Sequence, residues 1–248
     1  MNDANLTSSN DTAKNRKIDV LAVGVMALIW MAEAYVSNVL WQTKQEPFVT
    51  LTWGHLTFPL VSIGLPILWF LVIRRYPLSY LGLKRAERRF WYWIAPLGAP
   101  LGFALGIPTY LMITHLLPAL GGGGMAGTPP PLGYPLATVL IVEAIKYPLT
   151  AAIPHNVAYR GAVFNGVQAL GSRWLLPAVL LSTALYVTYH FPFDLSFSAV
   201  YFNLIWNLIA LFLLIRSKSL YPPIIFHATI NIVAIMMSWG YYTFAPQG

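Results

Sequence analysis

The chain has 248 residues, of which 57% are hydrophobic and 9% charged, with a net charge of +7 and no cysteine. A soluble domain carries roughly 25% charged residues, so a globule of this composition would show large apolar patches to water and aggregate. Lipid is the solvent that suits it. Disulfides and thiolate metal sites are excluded, and the basic residues sit in short runs between apolar stretches, which argues for membrane topology and against nucleic acid as a partner.

Residues 1–17 are polar, lack the apolar core of a signal peptide, and read as a disordered cytoplasmic tail ending in Lys14, Arg16 and Lys17. About 20 apolar residues cross the hydrocarbon as a helix. Seven stretches qualify or nearly do: 18–40, 53–73, 91–117, 136–153, 174–189, 197–215 and 222–244. Long continuous runs without period-two alternation predict helices, not a barrel. The fold class is therefore all-α, a polytopic transmembrane bundle of about seven spans. Residues 157–170 are also apolar enough to dip into the membrane, which would make an eighth segment. Residues 18–119 form an N-terminal three-span half. Residues 120–135, LGGGGMAGTPPPLGYP, form a Gly/Pro-rich loop that cannot be stably helical. Residues 136–244 form a C-terminal core that holds most of the polar residues.

Basic residues fall on alternate connections: before the first span, at Arg74, Arg75, Lys84, Arg85, Arg88 and Arg89, at Arg160 and Arg173, and at Arg216 and Lys218. That alternation predicts an integral membrane protein with a cytoplasmic N-terminus, placed here in a bacterial cell membrane.

Ionisable and amide side chains at bilayer depth are costly, and they are functional candidates by default. Glu143 and Lys146 are three apart and can pair on one helix. Glu33 has no local partner, so it is either protonated or paired across helices. Asn203 and Asn207 share a face and suit interhelical hydrogen bonds. His55 and His115 lie near span ends and read as lone interfacial histidines. His155, His190 and His227 fall on three successive C-terminal segments and can converge in a bundle core. If every span crosses fully, however, His155 and His190 lie at opposite ends, unless a span breaks, tilts or starts at another depth.

Three motifs carry a family resemblance. His155-Asn156-Val157-Ala158-Tyr159-Arg160-Gly161 is the first, Tyr186-Val187-Thr188-Tyr189-His190 the second and His227-Ala228-Thr229-Ile230-Asn231 the third. With the lead-in Ser219-Leu220-Tyr221-Pro222-Pro223 and the upstream Tyr80-Leu81-Gly82-Leu83, they resemble the CPBP family of glutamic intramembrane proteases, which includes the type II CAAX prenyl endopeptidases and Abi proteins. The likeness covers roughly residues 75–235. It implies an intramembrane endopeptidase without a cofactor, with His155, Asn156, Arg160, His190, His227 and Asn231 as site residues and a transmembrane or prenylated peptide as substrate. In the family the first motif begins Glu-Glu. Here His155 and Asn156 stand in those places, so the water-activating carboxylate is lost, while His227 and Asn231 could still stabilise an oxyanion.

Three functional readings follow. His155 could act as the base, since neutral imidazole accepts a proton, but a histidine base needs an orienting acceptor and none stands beside it in sequence. The three histidines could hold zinc or iron. The pocket could instead bind a lipid, a prenyl group or a transmembrane partner without cutting it.

Overall fold

The computed structural model describes residues 3–42, 53–120, 135–191 and 195–244. They contain seven helices and no strand. α1 is Asp3–Gln42. α2 is Trp53–Pro66, continued by a π-helical turn, Ile67–Ile73. α3 is Phe90–Leu116. α4 begins at Leu136–Tyr147 and runs on through Pro148–Ala152, Ile153–His155, Asn156–Phe164 and Asn165–Gln168. α5 is Leu175–Tyr189, α6 is Phe197–Ser217 and α7 is Tyr221–Phe244.

Seven helices match the seven apolar stretches, and among the described residues five are long and apolar enough to cross a membrane: Arg16–Ser37, Leu56–Ile73, Phe90–Leu116, Ala137–Gln168 and Phe197–Ser217. The outer surface is apolar throughout the described bundle, with Leu21, Leu28, Leu60 and Trp93 all exposed. α5 has 15 residues, about 22 Å of helix against a hydrocarbon core of about 30 Å. Residues 157–168 make no eighth segment; they continue α4. Residues 3–17, read from sequence as a disordered tail, extend α1. They contain neither Gly nor Pro, so helix propagates outward from the apolar span.

Pro148 and Pro154 lie inside α4. Proline lacks an N–H, and its ring strikes the carbonyl four residues back. Two widened π-helical stretches, Pro148–Ala152 and Asn156–Phe164, absorb the mismatch.

Among the described residues the bundle is held by three packing cores, two of them larger. Trp30 of α1, Phe58 and Phe70 of α2, Ala158, Tyr159 and Ala162 of α4, and Tyr186 of α5 form one. Trp91, Ala95 and Ala99 of α3 pack with Trp206 and Ala210 of α6 and Phe226 of α7 in the other. On α3, Gly98, Gly102 and Gly106 recur every fourth residue, a small-residue stripe that lets helices approach closely. Their positions face the rings of Phe226, Trp206 and Phe202 respectively.

The basic connections gather at one end, whereas Arg160, assigned to one of them from sequence, lies buried within α4. Asp19 of α1, fully buried, accepts hydrogen bonds from Arg74 Nε at 2.8 Å, the Tyr76 hydroxyl at 2.8 Å and Trp69 Nε1 at 3.1 Å. The loop after α2 is stitched to the α6–α7 junction: Leu220 N–H donates to Gly82 O at 2.9 Å, and Ser219 Oγ donates to Lys84 O. Lys218 pairs with Glu87 at 2.9 Å. Asn165 of α4 donates to Tyr80 O at 3.3 Å. Gly161 permits the same contact, because a Cβ there would lie 3.0 Å from Leu81 O and 3.2 Å from Leu220 Cδ1. The connections that sequence assigns to one side of a membrane are thus physically joined.

Candidate functional site

α4 and α5 bring His155 and His190 to one depth. His155 lies 13 residues before the end of α4 at Gln168, and His190 lies 15 residues after the start of α5 at Leu175. Each offset is roughly 20 Å of helix measured from the same connection. The conflict in depth disappears because α4 runs past His155 and α5 is short.

Three imidazoles meet there. The His155 ring lies 5.2 Å from that of His227, nearly parallel at 19°, and 5.3 Å from that of His190. His155 and His227 are buried, and His190 is half-buried. His190 Nδ1 sits 2.7 Å from the Tyr186 carbonyl, one helical turn back. An N–H at Nδ1 satisfies that contact and leaves Nε2 as the acceptor. The aromatic-xxx-His spacing therefore has a local reason: the residue at the fourth position back fixes the imidazole. The Tyr186 ring lies 4.8 Å from the His190 ring, and the Arg160 guanidinium carbon stands 4.9 Å over it, a cation–π contact.

Arg160 is 1% exposed. Its two terminal nitrogens donate to neutral amides, NH1 to Asn156 Oδ1 at 3.0 Å and NH2 to Asn207 Oδ1 at 2.8 Å. Asn207 in turn donates to Thr183 Oγ1 at 2.8 Å, and Asn156 donates to Ala152 O at 2.7 Å with a longer contact to Pro223 O at 3.5 Å. A belt of hydrogen bonds thus links α4, α5, α6 and α7. Several buried polar atoms in this cluster have no partner among the described residues: both ring nitrogens of His155, Nδ1 of His227, Nε of Arg160 and the Tyr159 hydroxyl. Buried polar atoms are satisfied in the great majority of cases, so such a concentration is unusual.

The remaining candidates divide. Asn231 follows His227 by one turn of α7 and is half-buried. Among the described residues no group of three or more His, Asp or Glu side chains is arranged to hold a metal ion. Glu33 has no basic partner among the described residues. Its carboxylate accepts from Ser37 and from Thr57 at 2.9 Å, and lies 3.5 Å from the Tyr189 hydroxyl. Tyr189 packs on His155 at 5.2 Å between ring centres, so Glu33 stands one side chain behind the histidines. Lys146 lies 5.9 Å from the Tyr147 ring, while the Glu143 side chain proposed to pair with it lies outside the described residues, as does that of His55. His115 is exposed at the end of α3.

Sequence reading gave Asn207 a generic interhelical role and passed over Thr183 and Tyr159. Asn207 had a usable signal, being an amide at mid-span, but nothing in its neighbours pointed to Arg160, 47 residues away.

Residues 137–233 match the family model of the type II CAAX prenyl endopeptidase Rce1-like proteins. No curated protein and no solved structure matches the chain. The matched segment begins in α4 and ends in α7, and it contains His155, Asn156, Arg160, His190, His227 and Asn231.

Proposed function

We propose that this Rce1-like, CPBP-type membrane protein holds a polar group of a membrane-embedded ligand at the His155–Arg160–His190–His227 cluster, and that it hydrolyses peptide bonds weakly or not at all. The ligand is a lipid, a prenyl group, or a transmembrane or prenylated peptide. The basic end of the bundle, where the α2–α3 and α6–α7 connections meet, faces the cytoplasm. The observation that carries this reading is His155. It occupies the place of the family's first glutamate, yet neither ring nitrogen has a hydrogen-bond partner. A histidine base works through an acceptor that fixes its tautomer and stabilises the imidazolium; His155 has none among the described residues. Loss of a positioned general base removes about 10²–10⁴ in rate.

A second reading, that of an active peptidase, draws support from the close approach of the three imidazoles, since a water among them would have acceptors and donors at hand. The two readings separate on one comparison. Wild type, His155→Glu/Asn156→Glu, and that double variant with His227→Ala are reconstituted and tested against one panel of transmembrane and prenylated peptides. The expected order is little or no cleavage by wild type, a gain in the double variant and its loss in the triple. Robust wild-type cleavage abolished by His155→Ala would overturn the proposal.

A further inference from the structure

Among the described residues Arg160, a permanent cation, has no counter-ion. Three acidic side chains are described, and each is engaged elsewhere: Asp19 with Arg74, Glu33 with hydroxyls, and Glu87 with Lys218. Glu143 shares α4 with Arg160 but stands 17 residues earlier, about 25 Å along the helix. The first motif, which in the family opens with two carboxylates, supplies an imidazole and an amide. Asn156 keeps the hydrogen bond to the guanidinium but contributes no charge. The histidines cannot compensate, since an imidazole is either neutral or positive. An unpaired charge taken out of water is strongly unfavourable.

The unpartnered atoms supply the second observation. Arg160 Nε is a donor, and His155 and His227 offer ring nitrogens that can donate. They lie around Tyr186, whose ring is 4.9 Å from the guanidinium carbon, 5.5 Å from the His155 ring and 6.2 Å from the His227 ring. A group with several acceptor oxygens and a negative charge satisfies the donors and the charge together, which a neutral carbonyl does not.

We infer that the cluster of Arg160, His155 and His227 is a binding site for an anionic amphiphile, a carboxylate or phosphate head carried on a long apolar chain. The head meets the guanidinium and the imidazoles, and the chain lies in the surrounding bilayer. This inference rests on the ligand-holding reading above and names the chemical class of the ligand.

The test uses purified full-length protein in lipid nanodiscs of zwitterionic lipid, with binding read by native mass spectrometry and by the shift in melting temperature. The probes are dodecyl phosphate, laurate, dodecanol and inorganic phosphate. Dodecyl phosphate and laurate are expected to bind and to raise the melting temperature, whereas dodecanol and inorganic phosphate are not. Asn156→Glu supplies the missing carboxylate beside Arg160. It should weaken binding of both anionic amphiphiles by about a hundredfold, as expected when a buried charge gains a permanent partner, and should leave the unliganded melting temperature equal or higher. If Asn156→Glu fails to fold, Asn207→Asp places the carboxylate at the other guanidinium nitrogen and serves the same purpose. Dodecanol binding as tightly as dodecyl phosphate overturns the inference, as does undiminished anion binding in the carboxylate variant. Inorganic phosphate binding as tightly as dodecyl phosphate overturns the amphiphile as the source of the anion. None of these outcomes depends on cleavage. Strong wild-type peptidase activity would overturn the functional proposal and leave the anion measurement standing, and a failure of anion binding would leave the low-activity reading intact.

Discussion

Replacing Gly102 by alanine adds one methyl group where, of the described glycine positions, α3 and α6 approach most closely. A Cβ at that position would fall 2.2 Å from Trp206 Cζ3, with two further atoms of the same ring at 3.1 and 3.2 Å. Ordinary carbon–carbon contact begins near 3.4 Å, so the indole must retreat by about an ångström. It has little room: Phe103 lies edge-on at 4.7 Å, Phe202 stacks at 5.9 Å and Phe226 sits at 6.3 Å, centre to centre. Overpacking of this kind costs about 1–3 kcal/mol, and Gly102→Ala belongs near the top of that range. At Gly98 and Gly106 the nearest atoms of Phe226 and Phe202 are 2.9 and 3.0 Å away, so alanine there should cost less, about 1 kcal/mol. The assay is reversible unfolding in mixed micelles, with the three alanine variants ranked by midpoint. A Gly102→Ala midpoint equal to that of wild type, or above those of the other two, would refute the close-approach argument for α3.

Other expectations follow from single contacts. Ser182→Ala removes the 2.8 Å hydrogen bond from α5 to the Tyr159 carbonyl of α4 and should cost about 1 kcal/mol in the same assay, the worth of one buried hydrogen bond. Asp19→Asn weakens three donor contacts, one from a guanidinium, at about 2 kcal/mol, and hydrogen exchange should quicken in residues 74–80. Burial, reinforced by the neighbouring Asp19, raises the Tyr80 phenol above its ordinary value of 10, and burial and the Asp19 contact do the same for Tyr76. A raised phenol contributes stability that is present below pH 10 and lost as pH climbs through its folded value. The wild-type melting temperature should therefore fall at alkaline pH, and Tyr80→Phe should flatten that fall; an unchanged slope would argue against it.

Much of the bundle was legible because lipid leaves so few options. Apolar stretches of membrane length, alternating basic loops and the motif order led to an all-helical protein with its polar motifs in the C-terminal half, and the helices fall on the predicted stretches. The depth of each segment was not legible. Hydropathy cannot separate a full crossing from the 15-residue α5, nor show that 157–168 prolongs α4. The π-helical turns also escaped, since Pro148 and Pro154 read equally well as breaks. The Gly98, Gly102 and Gly106 stripe was present in the sequence at its four-residue spacing, but prolines at 96, 100 and 108 obscured it. The histidine cluster was suggested by motif order, whereas the Arg160–Asn207 contact spans 47 residues and leaves no local trace. Glu33 posed a similar problem: its hydroxyl partners come from α1, α2 and α5, and only Ser37 lies within reach along the chain.

The belt running from Thr183 through Asn207, Arg160 and Asn156 to Pro223 also bears on how the chain is made. A ribosome delivers helices to the bilayer one after another, and α4 arrives first among the four that share this belt. On its own it would carry a guanidinium and an amide into hydrocarbon, a cost of several kcal/mol. One acceptor that relieves it, Asn207, is synthesised 47 residues later. Entering lipid together with α6 would spare α4 that cost. A chain interrupted between α5 and α6 would keep an exposed polar helix at the membrane, the kind of unfinished product that quality-control proteases remove.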